Sequence, residues 1–319
     1  MESDLRQVRE LIVGMRAAYA RGENAMEYAR QAGSSLENSP SAILIAYDLQ
    51  AGSYAAHART HSDENARWCT QLAQVLTPMV TADSSILEVG CGEATTLAGV
   101  LKRLAVAPRL AMGFDISWSR CAEGNAWLSD QHAAARLFVA DLFEIPLADA
   151  SIDVVYTSHS IEPNGGREEA ALREVLRIAR RAVVLVEPIY ELASERAQAR
   201  MRHHGYVRGL KETVERLGGN VVEYGLLPRT ANPLNPSGLI RVEMPAVVRD
   251  AEAAPELQLP GPTFWRCPLT HAPLDDLGDA FASSDTGVAY PVLRGIPLLR
   301  VEHAVVASGL RGALGDASS

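Results

Sequence analysis

Residues 84–101 read SSILEVGCGEATTLAGVL, and the reading of this stretch decides the fold. An apolar run, Ile86–Val89, enters a turn built on Gly90 and Gly92, and a helical pattern follows over Thr95–Leu104. A strand that passes through glycines into a helix is how a phosphate-cradling turn begins, because glycine lets the backbone approach a ligand with no Cβ in the way. Such a turn usually keeps a third glycine, and Ala94 stands near that place.

The strand-then-helix pattern repeats downstream. LAMGFDIS is a second strand ending at Asp115, residues 119–134 are helical, and RLFVADL is a third strand ending at Asp141. IDVVYTS is a fourth strand, GREEAALREVLRIAR a periodic helix, AVVLVEP a fifth strand, and GYVRGLKETVERLGG a helix closed by glycines. NVVEYGLL and GLIRVEM complete seven strands. The alternation predicts an α/β domain with a mostly parallel sheet. The last two strands leave no room for a crossover helix, so they should pair antiparallel.

The flanks differ. Over residues 4–30, Leu5, Val8, Ile12, Met15 and Tyr19 recur at helical spacing. That pattern suits a helix packed on a core or a lid over a cleft. SSLENSPS breaks it, and AYDLQAGSYAAHA reads as a second helical stretch. The predicted division is a helical lid over 1–60, a ligand-binding domain over 61–246, a Pro/Ala-rich linker over 247–261, a small β-rich module over 262–302 and a frayed tail over 303–319.

Composition narrows the partners. The chain has 319 residues, 47% of them hydrophobic and 22% charged, which is ordinary for a globular protein. A net charge of −9 disfavours nucleic acid. No apolar run reaches the length of a membrane span, the N-terminus lacks a signal-peptide pattern, and the expected compartment is cytoplasmic. Four scattered cysteines with no CxxC pair predict neither a disulfide framework nor a metal site.

In an open parallel sheet, ligands bind beyond the carboxyl ends of the strands. Here those ends carry Glu88 with Gly90 and Gly92, then Asp115, then Asp141. An acidic side chain one strand–helix–strand step after the turn is placed to accept ribose hydroxyls. Glu88 and Glu93 would repel a pyrophosphate but suit an ammonium or sulfonium. A ligand with a ribose, a positive charge and no phosphates fits, and S-adenosylmethionine (SAM) meets that description.

LEVGCGEATTL resembles motif I of class I SAM-dependent methyltransferases. GFDIS resembles their second motif, VADLFEIPLADASIDVVYTSHSIEP their third and fourth, and VVLVEP the strand after. The resemblance spans about residues 84–190 and implies a Rossmann-like fold. It implies that Glu88 takes the SAM amino group, Gly90 and Gly92 make room for its methionine part, and Asp115 holds the ribose. Asp141 and the Leu142 backbone N–H would meet the adenine, and Thr157 and Ser158 would line the reacting end. Tyr47 and Tyr54 resemble tyrosines that close over SAM in this family, with amphipathic packing as the alternative. Asp153 is expected to be structural.

Methyl transfer needs a base only when the acceptor must lose a proton. His159, just past the fourth strand, is the best candidate. Glu162, Asn164, Glu187 and Tyr190 are the other polar groups there, and Tyr156 and Tyr190 could add cation–π stabilisation near a sulfonium. Residues 191–210 stand where this fold often carries an acceptor-binding insertion, with His203 and His204 expected to be exposed.

CPLTHAPL followed by AYPVLRGIPLL resembles the Trm112-like zinc-ribbon family. Only Cys267 stands at that family's cysteine positions, with Thr270 at its partner position, and His271 adds at most a second ligand. A zinc site needs about four, so a metal-free module packed on the main domain is expected. The leading function is a SAM-dependent methyltransferase acting on a small-molecule metabolite. The alternatives are an enzyme that cyclises SAM to azetidine-2-carboxylate and methylthioadenosine, and a non-catalytic SAM-binding partner. The acceptor and the oligomeric state stay open.

Overall fold

The computed structural model describes residues 2–23, 25–32, 40–230, 232–245, 264–283 and 285–310. Its centre is a seven-stranded sheet formed by β1 (Ser85–Val89), β2 (Leu110–Asp115), β3 (Arg136–Val139), β4 (Ile152–Ser158), β5 (Ala179–Pro188), β6 (Asn220–Leu226) and β7 (Ser237–Glu243). The order is β3-β2-β1-β4-β5-β7-β6, and β7 alone runs antiparallel to its neighbours β5 and β6. The order reverses between β1 and β4, which opens a crevice at their carboxyl ends. β1 is buried along its whole length and β4 along all but its last residue, Ser158. Both read as near-continuous apolar runs because helices cover the two faces of the sheet.

Helices α1 (Glu2–Ala20), α2 (Ala25–Ala32), α3 (Pro40–Leu49), α4 (Ser53–Thr60) and α5 (Ser62–Leu76) precede the sheet. Helices α6 (Thr95–Leu101), α7 (Trp118–Asp130), α8 (Glu168–Ile178), α9 (Glu195–His204) and α10 (Leu210–Arg216) connect its strands. α5 lies tightly on α6, where a Cβ on Gly99 would run into Cys69 Sγ. α8 buries Ala171, Leu172, Val175, Leu176 and Ile178, the stripe its periodicity demands. Asp153, expected to be structural, accepts from Ser85 N–H (2.8 Å) and pairs with Arg180. Among the described residues no helix is long and apolar enough to cross a membrane.

Several local expectations are corrected. α1 buries Leu11, Met15 and Ala18, whereas Ile12 and Tyr19 are 41% and 42% exposed. Helices α2 and α3 bring small residues, Ala25, Ala29, Ala42 and Ala46, onto that narrower stripe. The stretch AYDLQAGSYAAHA is two helices, because Gly52 turns left-handed (φ 93°) between α3 and α4. Most of SSLENSPS, the linker over 247–261 and residues 311–319 lie outside the described residues. The start of the tail is ordered into the fold, with Val305–Val306 pairing as a strand.

The C-terminal module contains β8 (Asp275–Asp276), β9 (Ala280–Ser283), β10 (Val288–Leu293), β11 (Ile296–Pro297) and β12 (Val305–Val306), all antiparallel. It docks on the β3 edge of the main sheet. Leu299 N–H donates to Val139 O (2.8 Å), Ala148 N–H to Phe264 O (3.1 Å) and Arg266 N–H to Pro146 O (3.0 Å). An open strand edge is thereby covered. The buried Trp265 ring meets Phe138 edge-on at 5.0 Å and Phe281 at 5.3 Å, so module and sheet share one core. Truncating such a ring costs about 3–5 kcal/mol. Trp265→Ala should therefore lower the stability of the whole chain by that amount in one cooperative denaturant transition. Unchanged unfolding of the sheet domain would show that the module is energetically separate.

Candidate active site at the switch point

The turn after β1 is left-handed at three alternate residues, Gly90 (φ 64°), Gly92 (φ 53°) and Ala94 (φ 53°). Such backbone is inexpensive for glycine and strained for alanine. Gly124 on α7 lets that helix close on the turn: a Cβ there would stand 2.7 Å from Leu137 Cδ1 and 3.2 Å from the Glu93 carbonyl carbon. Gly90 serves a neighbour, since a Cβ on it would strike the Ser160 side chain beyond β4. Above Gly92 the space is open apart from Arg120 Nη1 at 3.6 Å from a Cβ position.

Four carboxylates lie around the turn and the neighbouring strand ends, with different partners. Asp115 Oδ2 accepts from Gly92 N–H (3.0 Å) and Oδ1 from Ser117 N–H (2.9 Å). Burial raises its pKa, against the pull of those bonds. Each oxygen keeps a lone pair for a further donor. Glu88, 2% exposed, accepts from the Tyr156 hydroxyl at 2.9 Å. Burial pushes its pKa up to about 8, and the Tyr156 bond opposes the rise. Glu93 is a correction. Rather than facing a cation, it accepts from Ala55 N–H (2.7 Å) and Tyr54 N–H (3.3 Å) and so caps the first turn of α4. β3 ends at Val139 rather than at Asp141, and Asp141, half-buried two residues beyond it, accepts from Phe143 N–H (2.9 Å), which bends the chain at Leu142.

Tyr47 and Tyr54 flank a cation beside the turn. The Arg120 guanidinium carbon is 4.7 Å from one ring centre and 4.8 Å from the other. Arg120 Nε also donates to Tyr47 O (3.1 Å). Burial pushes the Tyr47 hydroxyl up to about 12. Asp48 Oδ1 accepts from the Ser117 hydroxyl (2.8 Å) and Ser119 N–H (3.3 Å), tying α3 to the start of α7. Arg120 and Asp48 were not singled out from the sequence. Ser117 and Arg120 in DISWSR signal a capped helix start, but their partners lie on a distant helix.

The other side of the crevice is built around His159. Its backbone is left-handed (φ 57°), an unusual state for a side chain of this size and one that clusters at functional sites. Nδ1 lies 2.6 Å from Glu162 Oε2, Nε2 lies 2.7 Å from Ser237 Oγ, and the ring is 5.8 Å from Trp68. Burial lowers the His159 pKa, but Glu162 and then Glu187 outweigh it, and the net shift is upward. Glu187 accepts from Ser160 N–H (3.0 Å), Ile161 N–H (3.2 Å) and Glu162 N–H (3.0 Å), which holds the loop that presents His159. Ser237 and Trp68, on β7 and α5, carried no local signal.

Four assignments near the rim are corrected. Tyr156 is fully buried beneath the turn, where it positions Glu88. Thr157 is also fully buried, and its hydroxyl accepts from Val186 N–H at 3.3 Å inside the sheet. Ser158, the last residue of β4, is half-buried at the crevice. Asn164 Nδ2 donates to Ser160 O (3.4 Å) and Ile161 O (3.2 Å) and shapes the loop from within. Tyr190 turns to the α9 side, where its hydroxyl meets Arg202 and its ring lies 5.6 Å from the Arg208 guanidinium. His203 and His204 are exposed, as expected.

Residues 86–182 match the model of a family described as a methyltransferase domain. No curated protein matches the chain. Among solved structures, the chain is similar to one from the complex between the Haloferax volcanii Trm112 methyltransferase activator and a methyltransferase, with 16% identity over 61% of this chain and 97% of that one, TM-score 0.48. It is similar to magnesium protoporphyrin IX methyltransferase from Synechocystis, with 14% identity over 63% and 99% of the two chains, TM-score 0.47. It is also similar to the [4+2]-cyclase SpnF, with 14% identity over 56% and 81%, TM-score 0.45. Sheet order, strand-end chemistry and the family match together mark residues 86–182 as a methyltransferase domain of the class I type, with S-adenosylmethionine as its cofactor.

Proposed function

We propose that the chain transfers a methyl group from SAM to a small-molecule acceptor that gives up a proton to His159. The observation that carries this reading is the Glu162–His159–Ser237 row at the mouth of the crevice, one residue from Ser160, which packs on Gly90. The residues fit the cofactor. Gly92 leaves open space, and Asp115 has lone pairs to spare for ribose hydroxyls. Glu88 stands buried where an ammonium group would relieve its desolvation. Asp141 and Leu142 are assigned to the adenine, and Tyr47 and Tyr54, with Arg120 between them, to the wall that covers the site.

SAM supplies an activated methyl group, so positioning does much of the work. His159 takes the acceptor's proton at Nε2, through the Ser237 hydroxyl 2.7 Å away or in its place, while Glu162, 2.6 Å from Nδ1, stabilises the resulting imidazolium and fixes the ring. The acidic net charge of −9 favours a small acceptor over nucleic acid. The C-terminal module is read as a Trm112-like element whose centre has become apolar, since Cys267 is buried with Sγ 3.2 Å from the Tyr290 hydroxyl. Incubation with SAM alone and with SAM plus a metabolite extract tests the reaction by mass spectrometry. S-adenosylhomocysteine formed only with the extract is expected, whereas methylthioadenosine from SAM alone would replace methyl transfer with cyclisation.

The pH dependence follows from the two shifted groups. His159 has a raised pKa, so its base form becomes the major one only at a pH above the ordinary histidine value of about 6.5. Turnover should rise with pH through that raised value. Glu162→Gln removes the main raising partner and should move the acid limb to lower pH while reducing kcat; an unmoved limb excludes His159 as the base. By the same sign, the stability of the His159–Glu162 pair is full below the unfolded value and lost as pH rises through the folded one.

Glu88, with a pKa of about 8, is mostly protonated at pH 7 in the free protein. A cationic amino group selects its ionised form, so binding should release a proton. Calorimetry at pH 7 in buffers of different ionisation enthalpy should show this release in the wild type and its loss in Glu88→Gln. Equal release from both proteins would remove Glu88 from the amino-group site.

A further inference from the structure

A cavity of about 750 Å³ lies between α5 and the β7–β6 end of the sheet, beyond β4 and β5 from the cofactor turn. Strand parity makes its floor. Ser237, Leu239 and Arg241 share one face of β7, and Leu239 belongs to the same apolar cluster as Leu72 and Leu76 of α5, so α5 covers that face. Glu223 and Gly225 of β6 stand opposite Arg241 and Leu239 and therefore line the same face. A Cβ on Gly225 would meet nothing within 4 Å. Glycine inside a strand weakens it and often marks a place where a ligand approaches the backbone closely. Gly225 is not left-handed, so neither its backbone nor a crowding neighbour accounts for it. Val75 of α5 and Met79 just after it, with Leu227 and Leu239, give the space apolar walls.

Charge selects the ligand. Three arginines and one glutamate line the cavity, in a chain whose net charge is −9. Arg241 is engaged by Glu223 (3.1 Å) and Glu243 (3.6 Å). Arg67 and Arg229 are exposed, and among the described residues neither is ion-paired. Both rise at one end of the cavity. Gln71 Nε2 donates to Arg229 O (3.3 Å), Gln71 Oε1 accepts from Arg229 N–H (3.0 Å), and Arg67 precedes Gln71 by one helical turn. That end backs onto the residues around His159. Leu227 N–H donates to Ser237 O (2.9 Å), Ser237 Oγ lies 2.7 Å from His159 Nε2, and Trp68, next to Arg67, lies 5.8 Å from the His159 ring. A guanidinium matches a carboxylate or phosphate through paired N–H donors. We propose that this cavity is a second small-molecule site, which takes an organic anion with an apolar body. The charged group lies at the Arg67–Arg229 end and the body over Gly225. The volume is that of a small-molecule pocket. The cofactor crevice, lined by Glu88, Asp115 and Asp141, selects the opposite charge, so the two sites take different ligands.

The test uses full-length protein and calorimetry with 2-naphthoate and 4-phenylbutyrate, each beside its primary amide, and with acetate as an anion without an apolar body. At least one of the two acids should bind one-to-one, at least tenfold more tightly than its amide and than acetate, and equally well with S-adenosylhomocysteine present or absent. Gly225→Val fills the open floor with a residue that strands favour and should weaken that binding at least tenfold. The double variant Arg67→Gln, Arg229→Gln should weaken it at least fivefold and erase the preference for acid over amide. Both variants should keep the wild-type affinity for S-adenosylhomocysteine, the sign of an intact fold. If Gly225→Val loses that affinity, the arginine variant, changed only at exposed positions, decides alone. The proposal is overturned if neither acid binds, if acid and amide bind alike, or if S-adenosylhomocysteine competes with the acid. It is also overturned if either folded variant binds the acid as the wild type does, or if the arginine variant loses S-adenosylhomocysteine as well.

Discussion

The hydrogen bond from Gly92 N–H to Asp115 Oδ2, 3.0 Å long, is the constraint on which the site depends. It ties the turn after β1 to the end of β2, with Gly92 in left-handed backbone. The other oxygen of Asp115 takes Ser117 N–H, so the carboxylate plane is set by two backbone donors before any ligand arrives. Ser117 then caps α7 and donates to Asp48, which carries the constraint to α3. Arg120, one turn along α7, stands between Tyr47 and Tyr54. One backbone bond thus aligns the Asp115 carboxylate, a helix start and the Tyr47–Arg120–Tyr54 cluster.

The buried acids of this domain divide by what satisfies them. Asp153 is held by Ser85 and Arg180, Glu187 by three backbone N–H groups and Glu93 by two. These acids brace strands, loops and a helix start, and their oxygens are engaged from within the protein. Glu88 has only the Tyr156 hydroxyl and the Leu97 backbone, and it bears a large upward shift for its burial. Burial disfavours the ionised form of such an acid, and a nearby cation would restore it. Glu88 is therefore the member proposed to face the ligand, and Glu93, whose oxygens are taken by α4, is not.

Sheet and strand ends were legible in the sequence because they rest on local period and turn chemistry. Glu88, Gly90, Gly92, Asp115 and Asp141 fall at the ends of apolar runs, and the order of those runs fixes which ends come together. At β4 the resemblance misled. Tyr156 and Thr157 lie within a strand buried on both faces, so neither reaches the mouth, and the loop residue His159 does. Partners far apart in the chain were illegible. Ser237 lies 78 residues from His159, and Arg120 lies 73 from Tyr47. The role of Glu93 was hidden for the same reason, since its donors belong to α4, 38 and 39 residues earlier.

The C-terminal module bears on the site through the strand it covers. Its backbone joins β3 at Val139, two residues before Asp141, and joins residues 146–148 just beyond the bend at Leu142. Trp118 on α7 donates its indole N–H to Leu293 O (3.3 Å), so the helix that follows Asp115 is held as well. Both segments proposed to embrace the adenosine are therefore clamped from outside the sheet. The clamp is apolar at its centre, where Phe138, Trp265 and Phe281 pack edge to face. The aromatic residues that fill the module are thus the same ones that fix the geometry of the β3 end.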